Sequence, residues 1–91
     1  MVSLLKIFGS KAQTRFVQYL LDHRGKIFNQ AGLATFMGLS PSTVARILPP
    51  LVEEGVLNYE QIGGQMKIIA LDDENEKTKA LIDFYEKLKN L

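Results

Sequence analysis

The sequence has no cysteine, a single histidine and only three prolines in its 91 residues. Without cysteine there is no disulfide framework, no thiolate metal site and no cysteine nucleophile. The one histidine, His23, has no second histidine or thiol to join it, and no glycine-rich loop is present that would cradle a phosphate. The chain therefore reads as a non-enzyme with no cofactor and no metal. Long apolar runs are missing too. The N-terminal stretch MVSLLKIFGS is interrupted by Lys6 and is too short for a signal core. No other segment approaches the roughly 20 apolar residues of a membrane span. A cytoplasmic protein without a membrane partner is expected.

The residues that are present suit one small folded domain spanning 1–91. A hydrophobic fraction of 46% and a charged fraction of 23% are ordinary for a globular chain and unlike a disordered one. A domain of this size builds a modest core and has no room for a second one. The net charge of +1 conceals an asymmetry. Residues 1–50 carry Lys6, Lys11, Arg15, Arg24, Lys26 and Arg46 against Asp22 alone, whereas residues 51–91 carry nine acids against five lysines. A basic half suits a polyanionic partner, and an acidic half suits solvent or another protein.

Local signals divide the chain into short elements. Met1 to Phe8 is densely apolar and needs a cover. Ser10 followed by Gln13 makes a capping-box pattern, which predicts a first helix from about Lys11 to His23. Ala12, Phe16, Val17, Leu20 and Leu21 form its inner face, and Lys11, Arg15, Gln18 and Asp22 lie outside. His23 reads as a partner of the helix C-terminal dipole or as a surface residue, with Gly25 ending the helix. After a short extended link, Asn29 caps a second helix that ends near Met37, with Gly38 in the left-handed conformation. Ser40 then caps a third helix, with Pro41 at its first position. Phe28 and Leu33 across the first cap, and Leu39 and Val44 across the second, have the spacing of hydrophobic staples.

In the third helix, Val44, Ile47 or Leu48, Leu51 and Val52 keep the inner stripe, and Gly55 is the stop. Pro49 and Pro50 each remove a backbone hydrogen bond, so a kink or a split is expected there. Val56 to Ile62 and Gln65 to Leu71 are β-rich runs joined by Gly63-Gly64, the signal of a two-residue hairpin. That loop pairs Ile62 with Gln65, Glu60 with Lys67, Tyr59 with Ile68 and Leu57 with Ala70. Asp72-Asp73-Glu74 opens a last helix over residues 73–91, with Lys87 and Lys89 at its C-terminal end. Leu81, Phe84, Leu88 and Leu91 recur along it at three- and four-residue steps beside Tyr85.

The predicted fold class is mainly α with a small β-hairpin wing (α+β). The order of elements and the run LATFMGLSPSTVARILPPLVEEGVL together resemble the winged helix-turn-helix transcription regulators, nearest to small archaeal and bacterial regulators of the MarR-like and ArsR-like kind. The resemblance covers about residues 10–71. Ala34, Gly38, Val44, Ile47 and Leu51 stand at the family's structural positions. ArsR-like metal sensing does not carry over, because its cysteine ligands are absent.

What the resemblance implies is a regulator that binds double-stranded DNA, with the recognition helix 41–54 in the major groove and the wing 61–67 on the backbone and minor groove. Gln30, Ser40, Ser42, Thr43, Arg46, Gln61, Gln65 and Lys67 are its candidate contacts, with Lys26 and Arg15 nearby. Arg46 alone among the outward residues of the third helix can make a bidentate contact to guanine; Ser42 and Thr43 suit bases or phosphates. Helix N-termini near Gln30 and Ser40 suit phosphate oxygens. Arg46 as a plain solvated charge is the competing reading. One basic residue in the recognition helix and one in the wing make few phosphate contacts, so a homodimer is expected, acting in the cytoplasm on the nucleoid. Leu4, Leu5, Phe8, Leu81, Phe84, Tyr85 and Leu88 are its candidate interface, unless the C-terminal stripe closes the protomer's own core. A winged-helix protein–protein interaction module of a transcription or replication assembly is the alternative function.

Overall fold

A computed structural model describes residues 7–8, 11–64 and 66–91. Among the residues from 11 onward that are described, four helices and a three-stranded antiparallel sheet follow one another as α1 (Ala12–Asp22), β1 (Phe28–Asn29), α2 (Gln30–Met37), α3 (Pro41–Glu53), β2 (Leu57–Ile62), β3 (Met66–Leu71) and α4 (Glu76–Lys89). The short extended link after α1, Lys26-Ile27-Phe28, enters a strand of the sheet only at Phe28. Its order is β1-β3-β2, with Phe28 opposite Ile69 and Asn29 opposite Ile68.

The α1 inner face meets α2, α3 and the sheet around Phe16, Leu20, Leu33, Ala34, Val44, Ile47, Leu48, Leu51, Leu57 and Ile69. Phe16 and Ile69 retain no exposed surface. Each such side chain contributes about 1.5–3 kcal/mol by leaving water. A smaller cluster of Leu21 and Tyr85 lies under α4, with Leu81, Ile82 and Leu88 packed against it.

Caps fix where α2 and α3 begin and end. The Asn29 side chain accepts a hydrogen bond from the Gly32 amide at 3.0 Å, and Ser40 Oγ accepts one from Thr43 N at 3.2 Å. Gly38 (φ 70) and Gly55 (φ 82) close the two helices in the left-handed conformation. In each case the following amide reaches back to the last turn: Leu39 N donates to Ala34 O and Val56 N to Leu51 O, both at 2.9 Å. These are Schellman closures, which satisfy carbonyls that the helix leaves open.

Five expectations are corrected. The N-cap of α1 is Lys11, which makes no side-chain cap hydrogen bond; Ser10 lies outside the described residues. Of the kink or split expected in the third helix the split does not occur, since it runs as a single segment through Pro49 and Pro50. Both prolines are exposed, so the acceptors that lose their amide partners, Ala45 O and Arg46 O, belong to residues on the solvent side. Ile47 and Leu48 are both buried, whereas Val52 is turned outward at 37% exposure.

The hairpin register differs by one residue. Ile62 pairs with Met66, Gln61 with Lys67, Glu60 with Ile68, Tyr59 with Ile69 and Leu57 with Leu71. The loop is one residue longer than Gly63-Gly64, with Gly63 at φ 62 and the Gln61 amide donating to Gly64 O at 3.0 Å. Because a slip of one residue exchanges the faces of a strand, the two-residue loop would turn Ile69 away from Leu57 and out of the core. Finally, α4 starts at cap Asn75. Asp72 N is held by Val56 O at 2.9 Å, Asp72 Oδ1 accepts from Glu74 N, and the chain completes a turn before Asn75 Oδ1 accepts from Lys77 N at 2.9 Å.

The two left-handed glycines separate local strain from packing. A Cβ on Gly38 meets nothing within 4 Å, whereas one on Gly55 lands on the side-chain amide of Asn75, whose Cγ would be 3.1 Å away. Gly38→Ala is expected to cost about 1–2 kcal/mol from backbone strain alone. Gly55→Ala should exceed it by about the 1 kcal/mol of a displaced N-cap. Denaturant unfolding of both variants checks this, and equal losses would disprove the Gly55–Asn75 coupling.

Candidate nucleic-acid interface

On α3, the exposed residues of the first two turns and just beyond are Pro41, Ser42, Ala45, Arg46, Pro49 and Pro50. The buried stripe of Val44, Ile47, Leu48 and Leu51 fixes the rotation of the helix, so these residues face away from the core. Arg46 is in no ion pair among the described residues. Ser40 Oγ is committed to its cap and also lies 2.8 Å from Thr43 Oγ1 and 3.1 Å from Ser42 Oγ. The three hydroxyls therefore form one cluster at the start of α3, with Ser40 and Ser42 exposed and Thr43 half-buried.

Gln30 opens α2 and is half-buried; its Oε1 is buried without a hydrogen-bond partner. Lys67 lies on the same sheet face as Ile69 and lines two adjacent clefts together with Gln30. One cleft, of about 350 Å³, runs between α2 and the start of α3 past Ala31, Ala34, Leu39 and Val44. The other, of about 300 Å³, separates α3 from the wing and is walled by Ala45, Leu48, Pro49, Val52 and Tyr59. Gln61 is exposed opposite Lys67, and its amide is engaged within the turn. Gln65 lies outside the described residues. Arg15 is occupied elsewhere: its guanidinium donates to Met37 O at 3.1 Å, on the last turn of α2. His23 sits at the end of α1, its Nδ1 2.8 Å from Tyr19 O and its ring stacked on Tyr19 at 4.1 Å.

The structure thus brings Gln30 and Lys67 together and gathers Ser40, Ser42 and Thr43, while Arg46 stands alone on the outer face. The apolar cleft beside α3 is the feature that sequence reasoning missed. Its signal was the run Ala45, Leu48 or Pro49, Val52 at three- and four-residue spacing, which merges in the sequence with the core stripe next to it.

Cations are distributed unevenly. In the C-terminal half, Lys77 pairs with Glu54, Lys79 with Glu76, Lys87 with Asp83 and Lys89 with Glu86. Among the described residues Lys11, Arg15, Lys26, Arg46 and Lys67 have no ion pair. The lysines of α4 are paired with acids, whereas among the described residues Arg46 on α3 and Lys67 on β3 are in no ion pair, and neither are the acids Glu53 and Glu60 on α3 and β2.

The candidate interface residues of α4 divide. Tyr85 is 4% exposed and donates to Asp22 Oδ1 at 2.5 Å, fastening α4 to α1 within one chain. Leu81 and Leu88 are half-buried against it. Phe84 is 43% exposed and Phe8 58%, while Leu4 and Leu5 lie outside the described residues.

Among solved structures, the chain is similar to reduced HlyU from Vibrio cholerae N16961, with 22% identity and a TM-score of 0.65 over 93% of this chain and 83% of that one. It is also similar to a transcriptional regulator (MarR family) from Rhodococcus sp. RHA1, with 26% identity and a TM-score of 0.64 over 91% of this chain but only 57% of that one. No family model and no curated protein matches the sequence. No described helix is long and apolar enough to cross a membrane, and no described group of three or more His, Asp or Glu side chains is arranged to hold a metal ion.

The Tyr85 contact gives a pH dependence with a definite sign. Burial raises the phenol above its ordinary value of 10.0, and the hydrogen bond to Asp22 followed by the charges of Asp22 and Glu86 push the same way. A group whose folded pKa lies above its unfolded one contributes fully below the unfolded value and loses that contribution as pH rises beyond it. Wild-type stability is therefore expected to fall above about pH 10 more steeply than that of Tyr85→Phe. Parallel thermal-unfolding curves across that range would show that the phenol is not coupled to folding.

Proposed function

Starting from a chain with the MarR-like winged helix-turn-helix fold, we propose that it is a sequence-specific transcriptional regulator that binds double-stranded DNA as a homodimer. The observation that carries this reading is the guanidinium of Arg46, exposed on the outward face of α3 and in no ion pair among the described residues, with Lys67 likewise unpaired on the wing. In this reading α3 enters the major groove and Arg46 contacts guanine. Ser42 and Thr43 reach bases or phosphates, Ser40 and Gln30 set helix N-termini against the backbone, and Gln61, Gln65 and Lys67 follow the wing along the minor groove. It is a non-enzymatic protein, needs no cofactor, and acts in the cytoplasm on nucleoid DNA.

Arg46 and Lys67 give few phosphate contacts, so one protomer holds DNA weakly and two linked protomers hold it far better. The pairing surface combines Leu4, Leu5 and Phe8 with α4, where Phe84 offers exposed apolar area and Leu81, Tyr85 and Leu88 supply the support behind it. Dimers of this kind set their recognition helices about 34 Å apart on a pseudo-palindromic site.

A second reading, a protein-interaction module of a transcription or replication assembly, draws on the apolar character of the wing, where Tyr59, Ile62 and Met66 are 39%, 50% and 50% exposed. Titration with mixed genomic DNA over a salt series separates the two. Affinity that falls steeply with salt is expected for the regulator, and no affinity at low salt supports the interaction module. Within the first reading, Arg46→Ala is expected to lose about 1–3 kcal/mol of discrimination between sites, while Lys67→Ala weakens all sites alike and lowers the salt slope by about one. Discrimination unchanged in Arg46→Ala would remove that residue from base reading.

A further inference from the structure

The exposed face of α3 is unusual in how little hydrogen bonding it offers. Between Ser42 and Pro50 its outward side chains are Ser42, Ala45, Arg46, Pro49 and Pro50. Ser42 Oγ lies 3.1 Å from the capping hydroxyl of Ser40, where either hydroxyl can donate, and Arg46 is the one side chain on this face with several donors. Ala45 and Pro49 have no polar side-chain atom, stand one turn apart and continue into the apolar cleft beside Val52 and Tyr59. Glu53, exposed at the C-terminal end of α3, repels phosphates there and favours entry by the N-terminal part of the helix.

Base edges in the major groove differ mainly in donors and acceptors, and the single apolar mark among them is the 5-methyl group of thymine. The geometry points to a duplex target recognised largely through thymine 5-methyl groups, which pack on Ala45 and Pro49 next to a guanine held by Arg46. This inference rests on the duplex-DNA reading above and specifies the sequence class of its target. Ala45 and Pro49 are separated by about 6 Å along the helix axis and successive base pairs by about 3.4 Å, so the methyls fall within roughly two base steps of one another. Arg46 adjoins Ala45 in the chain and is turned about 100° around the axis, which sets the guanine to one side of the thymine contacts. Cytosine at a thymine position leaves this apolar surface facing a bare ring edge and an amino donor with no acceptor side chain to take it.

Uracil supplies the test, because it keeps the pairing and the acceptor of thymine and lacks only the methyl. The intact chain is used to select duplexes from a random library, and the selected sites are remade with uracil in place of thymine. Sites with thymines beside a guanine are expected, and each uracil at a contacted position should weaken binding about fourfold, the value of one buried methyl-sized group. The penalty should vanish at the position served by Ala45 in Ala45→Ser and shrink in Pro49→Ala, with folding of both variants checked by thermal unfolding. Because the uracil substitution alters only the DNA, it reads the contact even if a variant folds poorly. Selected sites that bind equally well with uracil would overturn the methyl readout and leave the duplex-DNA reading standing. A selection that enriches no duplex would overturn that reading and this inference with it.

Discussion

Ile69 sits at the middle of the central strand with no exposed surface, opposite Phe28 on one side and Tyr59 on the other. That single burial sets the face of every residue in the wing. With Ile69 inward, Lys67 and Leu71 share its side of β3, and Leu57, Tyr59 and Gln61 share theirs on β2. Tyr59 therefore becomes a wall of the cleft against α3, and Lys67 comes to lie beside Gln30 rather than at the wing tip. The glycine loop adapts: it takes a third residue so that the pairing obeys the core. A hydrophobic side chain worth about 1.5–3 kcal/mol thus overrides a turn preference.

Helix α3 is governed by a similar contest. Two prolines in a helix interior cost on the order of 3 kcal/mol each. Against them stand Val44, Ile47, Leu48 and Leu51, four apolar side chains buried on both sides of the proline pair, together with the Ser40 cap and the Gly55 closure. These contributions exceed the penalty, and the exposed position of the prolines lets water take the carbonyls they abandon. The helix stays in one piece. The result is an outward face with one guanidinium and little other donor capacity, which is the property that gives the candidate interface its character.

The terminal helix divides its residues between two tasks. Thr78, fully buried, donates to Val56 O at 3.4 Å, and Tyr85 donates to Asp22, so α4 is tied both to the strand entering the wing and to α1. Its exposed lysines lie close to its own acids or to Glu54, in pairs too solvated to add much stability. Their effect is on charge distribution: they leave α4 without a strong field of either sign, while Arg46 and Lys67 stay outside any ion pair among the described residues. Phe84 remains as its exposed aromatic, next to a helix end already anchored within the protomer.

The sequence by itself determined what depends on neighbours a few residues apart. Caps at Asn29 and Ser40, Pro41 at a first helical position, left-handed Gly38 and the helix stop at Gly55 all follow from local backbone chemistry, and so does the existence of a hairpin. Those signals were enough to define the helix-turn-helix and its wing, and to name Arg46 as the donor of α3. Tertiary structure decided whatever needed a distant partner. The hairpin register waited on Ile69 meeting the helices, and the continuity of α3 on packing that outweighs its prolines. The start of α4 waited on Asp72 being held by Val56, and the inward turn of Tyr85 on Asp22, 63 residues earlier. The apolar cleft beside Arg46 belongs to this second group, because its walls come from α3 and β2. Spacing in one dimension shows that Val52 and Tyr59 are apolar, and only their meeting across the fold makes them a surface.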